Sequence, residues 1–303
     1  MKKRLLSVMM TAAMTMGLFT GCGNSDNGEA DTKDVEIQAA TEDSSSKGVL
    51  RVGMECAYAP FNWTQETEDV SNGEKAVPIY GTSYYAYGYD VMMAQKIADA
   101  LGWDLEIHKV EWDSIGLAMD SGQYDCIIAG MGKTPEREAA YAFTEPYYYR
   151  DNCVTVKKGS GLEDIKKLSE FEGKNVTVTT QLGTGWVSLT DQIPDVTLGA
   201  NYETTAECFM AVSNGVADVA LIDLPTSESA AMTNGDLVVI VLDEDDTFDD
   251  PTGMTNVCIA TRKDDTEFRD QIQGVLDSIG WNDKAAMDEM MSEAIKVQPA
   301  ANN

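Results

Sequence analysis

From Val49 onward, short apolar runs alternate with stretches whose apolar residues return every three to four positions. The runs have strand length and the stretches helix length, so the pattern predicts an α/β architecture. "VLRVGM" reads as a first strand and leads into the loop "ECAYAPFNW". A polar, tyrosine-rich stretch from Thr64 to Tyr87 is too long for an ordinary connection and reads as a surface insertion. "YDVMMAQKIADALG" predicts a helix closed by Gly102, "DLEIHKV" a strand, "SIGLAMDSG" a helix ending near Gly122, and "YDCIIAGM" a buried strand. After "FTEPYYYRDN", the run "CVTVKKG" predicts an extended crossing, and the pattern then begins afresh. "LEDIKKLSEFEG" reads as helix, "KNVTVTT" as strand, and "QLGTGWVSLTDQI" as a glycine bend entering a helix. "TTAECFMAVSNG" and "PTSESAAMTNG" read as helices, "ADVALIDL" and "LVVIVL" as strands, which completes a second lobe. "TNVCIATRK" adds a strand, and the remainder two amphipathic helices joined near Gly280. Met287, Met290 and Met291 fall at helical spacing there, which predicts core packing.

The stretch "IIAGMGKTPERE" resembles a phosphate loop only superficially. Such a loop needs a glycine five positions before the Gly-Lys-Thr, and position 127 is Ile. Pro135 also removes an N–H from the next turn. What remains is a strand, a glycine bend at Gly130 and Gly132, Thr134 as N-cap, Pro135 at the first helical position and Arg137 in the first turn. A helix start with an arginine beside it suits a small planar anion such as a carboxylate. The segment alone also leaves open the bland alternative, Arg137 as a surface residue on an ordinary helix start.

The N-terminus changes the picture of where the chain works. Residues 1–21 carry three basic residues, a fifteen-residue weakly apolar stretch from Leu5 to Phe19, and then small residues before Cys22. This is a secretory signal, and Leu18-Phe19-Thr20-Gly21-Cys22 resembles the bacterial lipoprotein processing site, at which Cys22 becomes acylated. Residues 22–47 are nearly empty of large apolar side chains and read as a disordered tether, about 25–30 Å in mean reach. The protein is therefore expected to be exported and lipid-anchored to the outer face of the cell membrane, meeting the bilayer through the lipid only.

The formal net charge is −29, and losing a leader with three basic and no acidic residues makes it more negative still. Nucleic acid is excluded as a partner by sign. Five cysteines follow Cys22, without any C-x-x-C, and the sole histidine, His108, lies in an alternating strand pattern. Metal-ligand spacing is absent, and neither metal nor cofactor is expected. Cys126, Cys153 and Cys258 lie in apolar runs and read as buried thiols, with disulfides the alternative.

Five stretches carry a resemblance. "LRVGMECAYAPFNW", "GYDVMMAQKIADALG", "EWDSIGLAMDSGQYDCIIAGMGKTPEREAAYAFTEPYY", "LGTG" after "FEGKNVTVTT", and "GVADVALIDLP" occur in the order in which the extracellular solute-binding proteins of polar amino-acid ABC transporters carry theirs. The chain from about Gly48 to Val297 is similar to that family throughout. The resemblance implies an α/β, two-lobe periplasmic-binding-protein-like fold of type II, with lobes joined by two extended hinge crossings. Residues 48–153 would form the first part of lobe one, 154–248 lobe two, and 249–303 the return to lobe one.

It also implies roles for individual residues. Arg137 matches the arginine that grips the ligand α-carboxylate, and Asp223 the acid that receives the α-ammonium. Thr184 and Gly185 match a position offering backbone N–H groups to the carboxylate. Tyr58 and Trp112 match aromatic positions flanking the ligand side chain, and Glu55 an acid near its far end. Gly130 and Gly132 belong to the ligand-facing bend, and Gly132 stands where many relatives carry Ser or Thr. Read on the residues alone, Asp223 could instead cap the helix at Pro225, Tyr58 and Trp112 could be core aromatics, and Glu55 could be solvated. Asp90 reads as structural.

The expected function is to bind a free amino acid, polar or cationic by preference, and to deliver it as a monomer to ABC permease subunits without catalysis. A sensory lipoprotein presenting its closed form to a receptor is an alternative, and a dehydratase-type enzyme on the same fold another. A serine hydrolase is a weaker reading still, since no G-x-S-x-G occurs and His108 would have to be the base.

Overall fold

The computed structural model describes residues 48–299. The leader, Cys22 and the tether lie outside the described residues.

Two five-stranded sheets organise the chain. The first has the spatial order Asp104–Lys109, Val49–Met54, Cys126–Ile127, Val257–Arg262, Tyr141–Tyr148. Its first three strands are parallel, and Val257–Arg262 runs antiparallel to both neighbours. The second has the order Thr197–Leu198, Thr177–Thr179, Val219–Asp223, Asn152–Lys157, Leu237–Ile240, again three parallel strands followed by an antiparallel one. In each parallel trio the earliest strand lies in the middle, so the chain winds first to one side and then to the other. That reversal opens a crevice at the carboxyl ends of the strands, where α/β sheets bind ligands.

Helices cover the sheets as their periodicity predicts. Tyr89–Leu101 packs on the first sheet and ends at Gly102 in the left-handed conformation. Thr205–Ser213 starts with a reciprocal cap between Thr204 and Glu207. Met287, Met290 and Met291 of Lys284–Val297 are buried, each contributing roughly 1.5–3 kcal/mol of apolar burial. The five described cysteines are buried free thiols, their pKa values pushed upward by desolvation.

Three segments differ from the sequence expectation. "CVTVKKG" is no crossing: Asn152–Lys157 is an inner strand of the second sheet, paired on both sides. The chain passes between sheets at 149–151 and returns through 241–256. The insertion from Thr64 to Tyr87 is also more than a surface loop. Its strands Val77–Pro78 and Tyr85–Tyr87 join Asn62–Gln65 and Ala57–Tyr58 in a small antiparallel sheet. From there Ile79 bridges Ile107, Tyr80 N–H donates to Ile107 O at 2.8 Å, and the Tyr80 ring stacks on His108 at 4.7 Å. The insertion thus covers the edge strand of the first sheet, which would otherwise offer unpaired backbone groups. Finally, "LEDIKKLSEFEG" and "QLGTGWVSLTDQI" form only short 3-10 turns, at Leu168–Phe171, Gly185–Ser188 and Thr190–Gln192.

Candidate functional site

The crevices of the two sheets face one another. Glu55 follows Val49–Met54, Gly130 and Gly132 follow Cys126–Ile127, and Gln181, Thr184 and Gly185 follow Thr177–Thr179. They enclose a pocket of about 10 Å³. That is room for roughly one water. Of the residues expected to face a ligand, Glu55, Tyr58, Trp112, Gly130, Gly132, Arg137, Thr184 and Gly185 line the pocket, and Asp223 does not. The insertion contributes nothing to the wall. Thr184 precedes and Gly185 opens a four-residue turn rather than a long helix, so little aligned peptide dipole stands behind them.

The glycine bend is shaped by close approach. Gly130 has φ +60°, and a Cβ there would lie 2.5 Å from the Tyr58 ring. At Gly132 a Cβ would meet the Met254 carbonyl oxygen at 2.3 Å. The return crossing therefore occupies the place where a serine or threonine side chain would stand. The bend is fixed from behind: Tyr147 Oη accepts from Gly130 N–H at 3.2 Å and donates to Asp90 at 2.6 Å, while Asn62 Nδ2 donates to the other Asp90 oxygen at 2.7 Å. Burial raises Asp90 to about 6 against these bonds. Asp90 is structural, as its place in "GYDV" predicts.

Arg137 is reached from the cap. Thr134 Oγ1 accepts from Arg137 N–H, Pro135 opens the helix Pro135–Ala140, and the guanidinium turns back into the cleft. Its Nη1 donates to Gly132 O at 2.9 Å and its Nη2 to Gly183 O at 2.8 Å, so it joins the two sheets' loops. The Trp112 ring lies 4.7 Å from the guanidinium carbon, a cation–π contact. Trp112 Nε1 itself donates to Leu182 O at 3.1 Å. Arg137 makes no ion pair among the described residues, and desolvation with the nearby positive charge of Arg150 lowers its pKa to about 10.

Arg150 was not legible as a site residue. It sits in the first crossing with its side chain only 4% exposed, and it lines the pocket. Nη2 donates to Gly130 O at 2.6 Å and to Tyr58 Oη at 2.9 Å, and Nη1 to Thr255 O at 2.9 Å. Its Nε lies 3.7 Å from Asp223 Oδ2. Trp186 covers the guanidinium face at 4.8 Å. Asp223 also accepts from Tyr58 Oη at 2.5 Å and caps the helix Leu224–Thr233 through Thr226 N–H at 3.0 Å. Asp223 is therefore fully buried behind Tyr58 and Arg150, its lone pairs engaged by the protein. Removing one partner of such a buried pair typically costs about 3–5 kcal/mol. The sequence held no local signal for it, because Arg150 comes after the end of the strand Tyr141–Tyr148 and next to the exposed Tyr149. Met254 and Thr255, also in the wall, carried none.

Glu55 is 4% exposed. Burial raises its pKa to about 8, the carboxylates of Glu203, Glu111 and Asp90 push the same way, and only a hydrogen bond from Gln181 opposes them. The pocket thus holds a cation without a carboxylate and a carboxyl without a cation.

Comparison with known proteins now has a geometry to meet. Residues 50–287 match the model of the bacterial extracellular solute-binding proteins, family 3. The chain belongs to that family. Among curated members, the arginine-binding extracellular protein ArtP of Bacillus subtilis (strain 168) is 30% identical over 183 residues, 60% of this chain and 57% of that protein. The L-cystine-binding protein TcyA of the same organism is 29% identical over 57% of each chain. The chain thus spans a little over half the length of these relatives. A solved amino acid ABC transporter substrate-binding protein from Streptococcus pneumoniae Canada MDR_19A, bound to L-arginine, is 25% identical with TM-score 0.65, covering 83% of this chain and 95% of that one. Family 3 proteins bind extracellular solutes, and this chain shares their two-lobe α/β fold. No helix among the described residues is long and apolar enough to cross a membrane.

Proposed function

We propose that the protein captures an amino acid with a cationic or polar end in the cleft between its sheets and hands it, chemically unaltered, to the permease of an ABC transporter. The observation that carries this reading is Arg137, a cleft guanidinium held only by two carbonyls and an indole face. A guanidinium so placed reaches full satisfaction when a carboxylate binds it. Glu55, which burial keeps protonated in the empty site, releases its proton when a cationic end arrives and then carries the complementary charge. The relatives named for arginine and cystine binding, and the arginine-bound structure, support the ligand class. In this reading residues 48–148 and 257–303 form one lobe and 152–240 the other, the expected boundary at 153 moving back because Asn152 and Cys153 pair in the second sheet, with Cys22 acylated and the monomer held at the outer face of the cell membrane.

Titration calorimetry of the full-length protein and of Arg137→Ala against the common amino acids tests the site. Binding by the wild type and at least about a 100-fold loss in the variant are expected, since a buried ligand carboxylate would be left unpaired. Unchanged affinity in the variant would remove Arg137 from the site. In the producing cell, Cys22→Ser should move the protein from the membrane fraction into the medium; retention on the membrane would end the anchoring proposal.

A further inference from the structure

Asp223 is the acid that the family resemblance assigns to a ligand α-ammonium, yet this chain has already placed a cation against it. Arg150 Nε stands 3.7 Å from Asp223 Oδ2, Tyr58 Oη holds the same oxygen at 2.5 Å, and Thr226 N–H holds the other at 3.0 Å. Asp223 exposes none of its surface. An ammonium brought to this end of the pocket would meet the Arg150 guanidinium, not a free carboxylate.

Arg150 presents the opposite chemistry to the pocket. Its Nε is turned to Asp223 Oδ2 at 3.7 Å, whereas its Nη1 has donated one of its two hydrogens, to Thr255 O, and keeps the other. Donors of this kind, buried and charged, are costly to leave unpaired and are satisfied by an anion. Arg137 lines the same pocket and raises the positive charge there. Glu55 lines the pocket from the end of Val49–Met54, whereas Arg137 and Arg150 are bonded to the Gly132 and Gly130 carbonyls beyond the neighbouring strand Cys126–Ile127. Positive and negative recognition are therefore assigned to different parts of the wall.

Building on the proposed function, we propose that the site takes amino acids whose cationic group is carried on a carbon remote from the carboxylate, the ω-amino and ω-guanidino carboxylates. Their carboxylate lies between Arg137 and Arg150 and their cation against Glu55. Arg150 fills the ammonium position from within the protein, so an α-ammonium becomes a repelled substituent.

Titration calorimetry of the full-length wild type with matched pairs is the test: L-arginine against 5-guanidinopentanoate, and L-lysine against 6-aminohexanoate. At least one des-α-amino compound should bind about tenfold or more tighter than its α-amino partner. Arg150→Ser, which frees Asp223, should reverse the order of that pair. If in every pair the L-amino acid binds as tightly as its analogue or more so, the inference falls while the cleft reading stands. If no α-amino acid and no analogue binds, both fall together. The wild-type comparison decides the matter even if Arg150→Ser does not fold.

Discussion

Glu55 carries a proton that the unfolded chain would release. Its pKa rises from an ordinary 4.5 to about 8 in the folded protein, chiefly through burial. The folded state therefore binds the proton more tightly than the unfolded one. The resulting stability is fully present below about pH 4.5 and is lost as pH rises through 8, at up to about 1.4 kcal/mol per pH unit. Melting curves of the ligand-free wild type and of Glu55→Gln between pH 5 and 8 should diverge, the variant losing less stability as pH rises. Asp90, raised to about 6, adds its own slope to both proteins and cancels in the difference. Parallel curves for the two proteins would show that Glu55 does not hold its proton. Little of this was legible, because an acid after a strand is solvated by default, whereas the folded chain leaves Glu55 only 4% exposed. At Arg137 the helix start was readable, because Thr134 and Pro135 set it locally, but the turn of its side chain into the cleft was not, and only the resemblance pointed there. The Arg150 to Asp223 pair joins residues far apart in sequence, and no local pattern announces it.

At the scale of elements, caps and periodicity made the long helices legible, as with Tyr89–Leu101 ending at Gly102 and Thr205–Ser213 starting at Thr204. They misled where side chains compete for the backbone. In "LEDIKKLSEFEG", Glu163 accepts from the N–H groups of Gly159 and Gly161, and Glu170 from those of Lys166 and Lys167, so the segment closes into turns. The bend after Cys126–Ile127 has a different control, the pairing of Gly132 with Val257 and the Met254 carbonyl against its Cα. Adding a hydroxyl at this position, as Gly132→Ser, would drive its Cβ to 2.3 Å from that oxygen. The return crossing must then shift, at a cost of about 1–3 kcal/mol. The urea midpoint of Gly132→Ser should fall accordingly at unchanged slope; an unaltered midpoint would mean that the crossing yields freely.

Among the described residues, the two five-stranded sheets are joined by two crossings and latched across the cleft. Besides Arg137 to Gly183, the latch includes Trp112 Nε1 to Leu182 O at 3.1 Å, Asp113 N–H to Glu203 at 2.7 Å, and Tyr58 Oη to Asp223 at 2.5 Å. With these bonds in place the pocket measures about 10 Å³, far too little for any amino acid. A ligand can therefore enter only after the latch opens, and at high ligand concentration opening itself limits the rate. Stopped-flow association should show an observed rate that reaches a plateau with rising ligand concentration, the plateau being the opening rate. Trp112→Phe keeps an aromatic face for Arg137 but gives up the donor to Leu182 O. That bond belongs to the latched form alone, so its loss speeds opening, and a bond worth about 0.5–1.5 kcal/mol raises the plateau by up to roughly two- to twelve-fold. A rate that climbs linearly without limit, or a plateau untouched by Trp112→Phe, would mean that the ligand enters by a route these bonds do not guard.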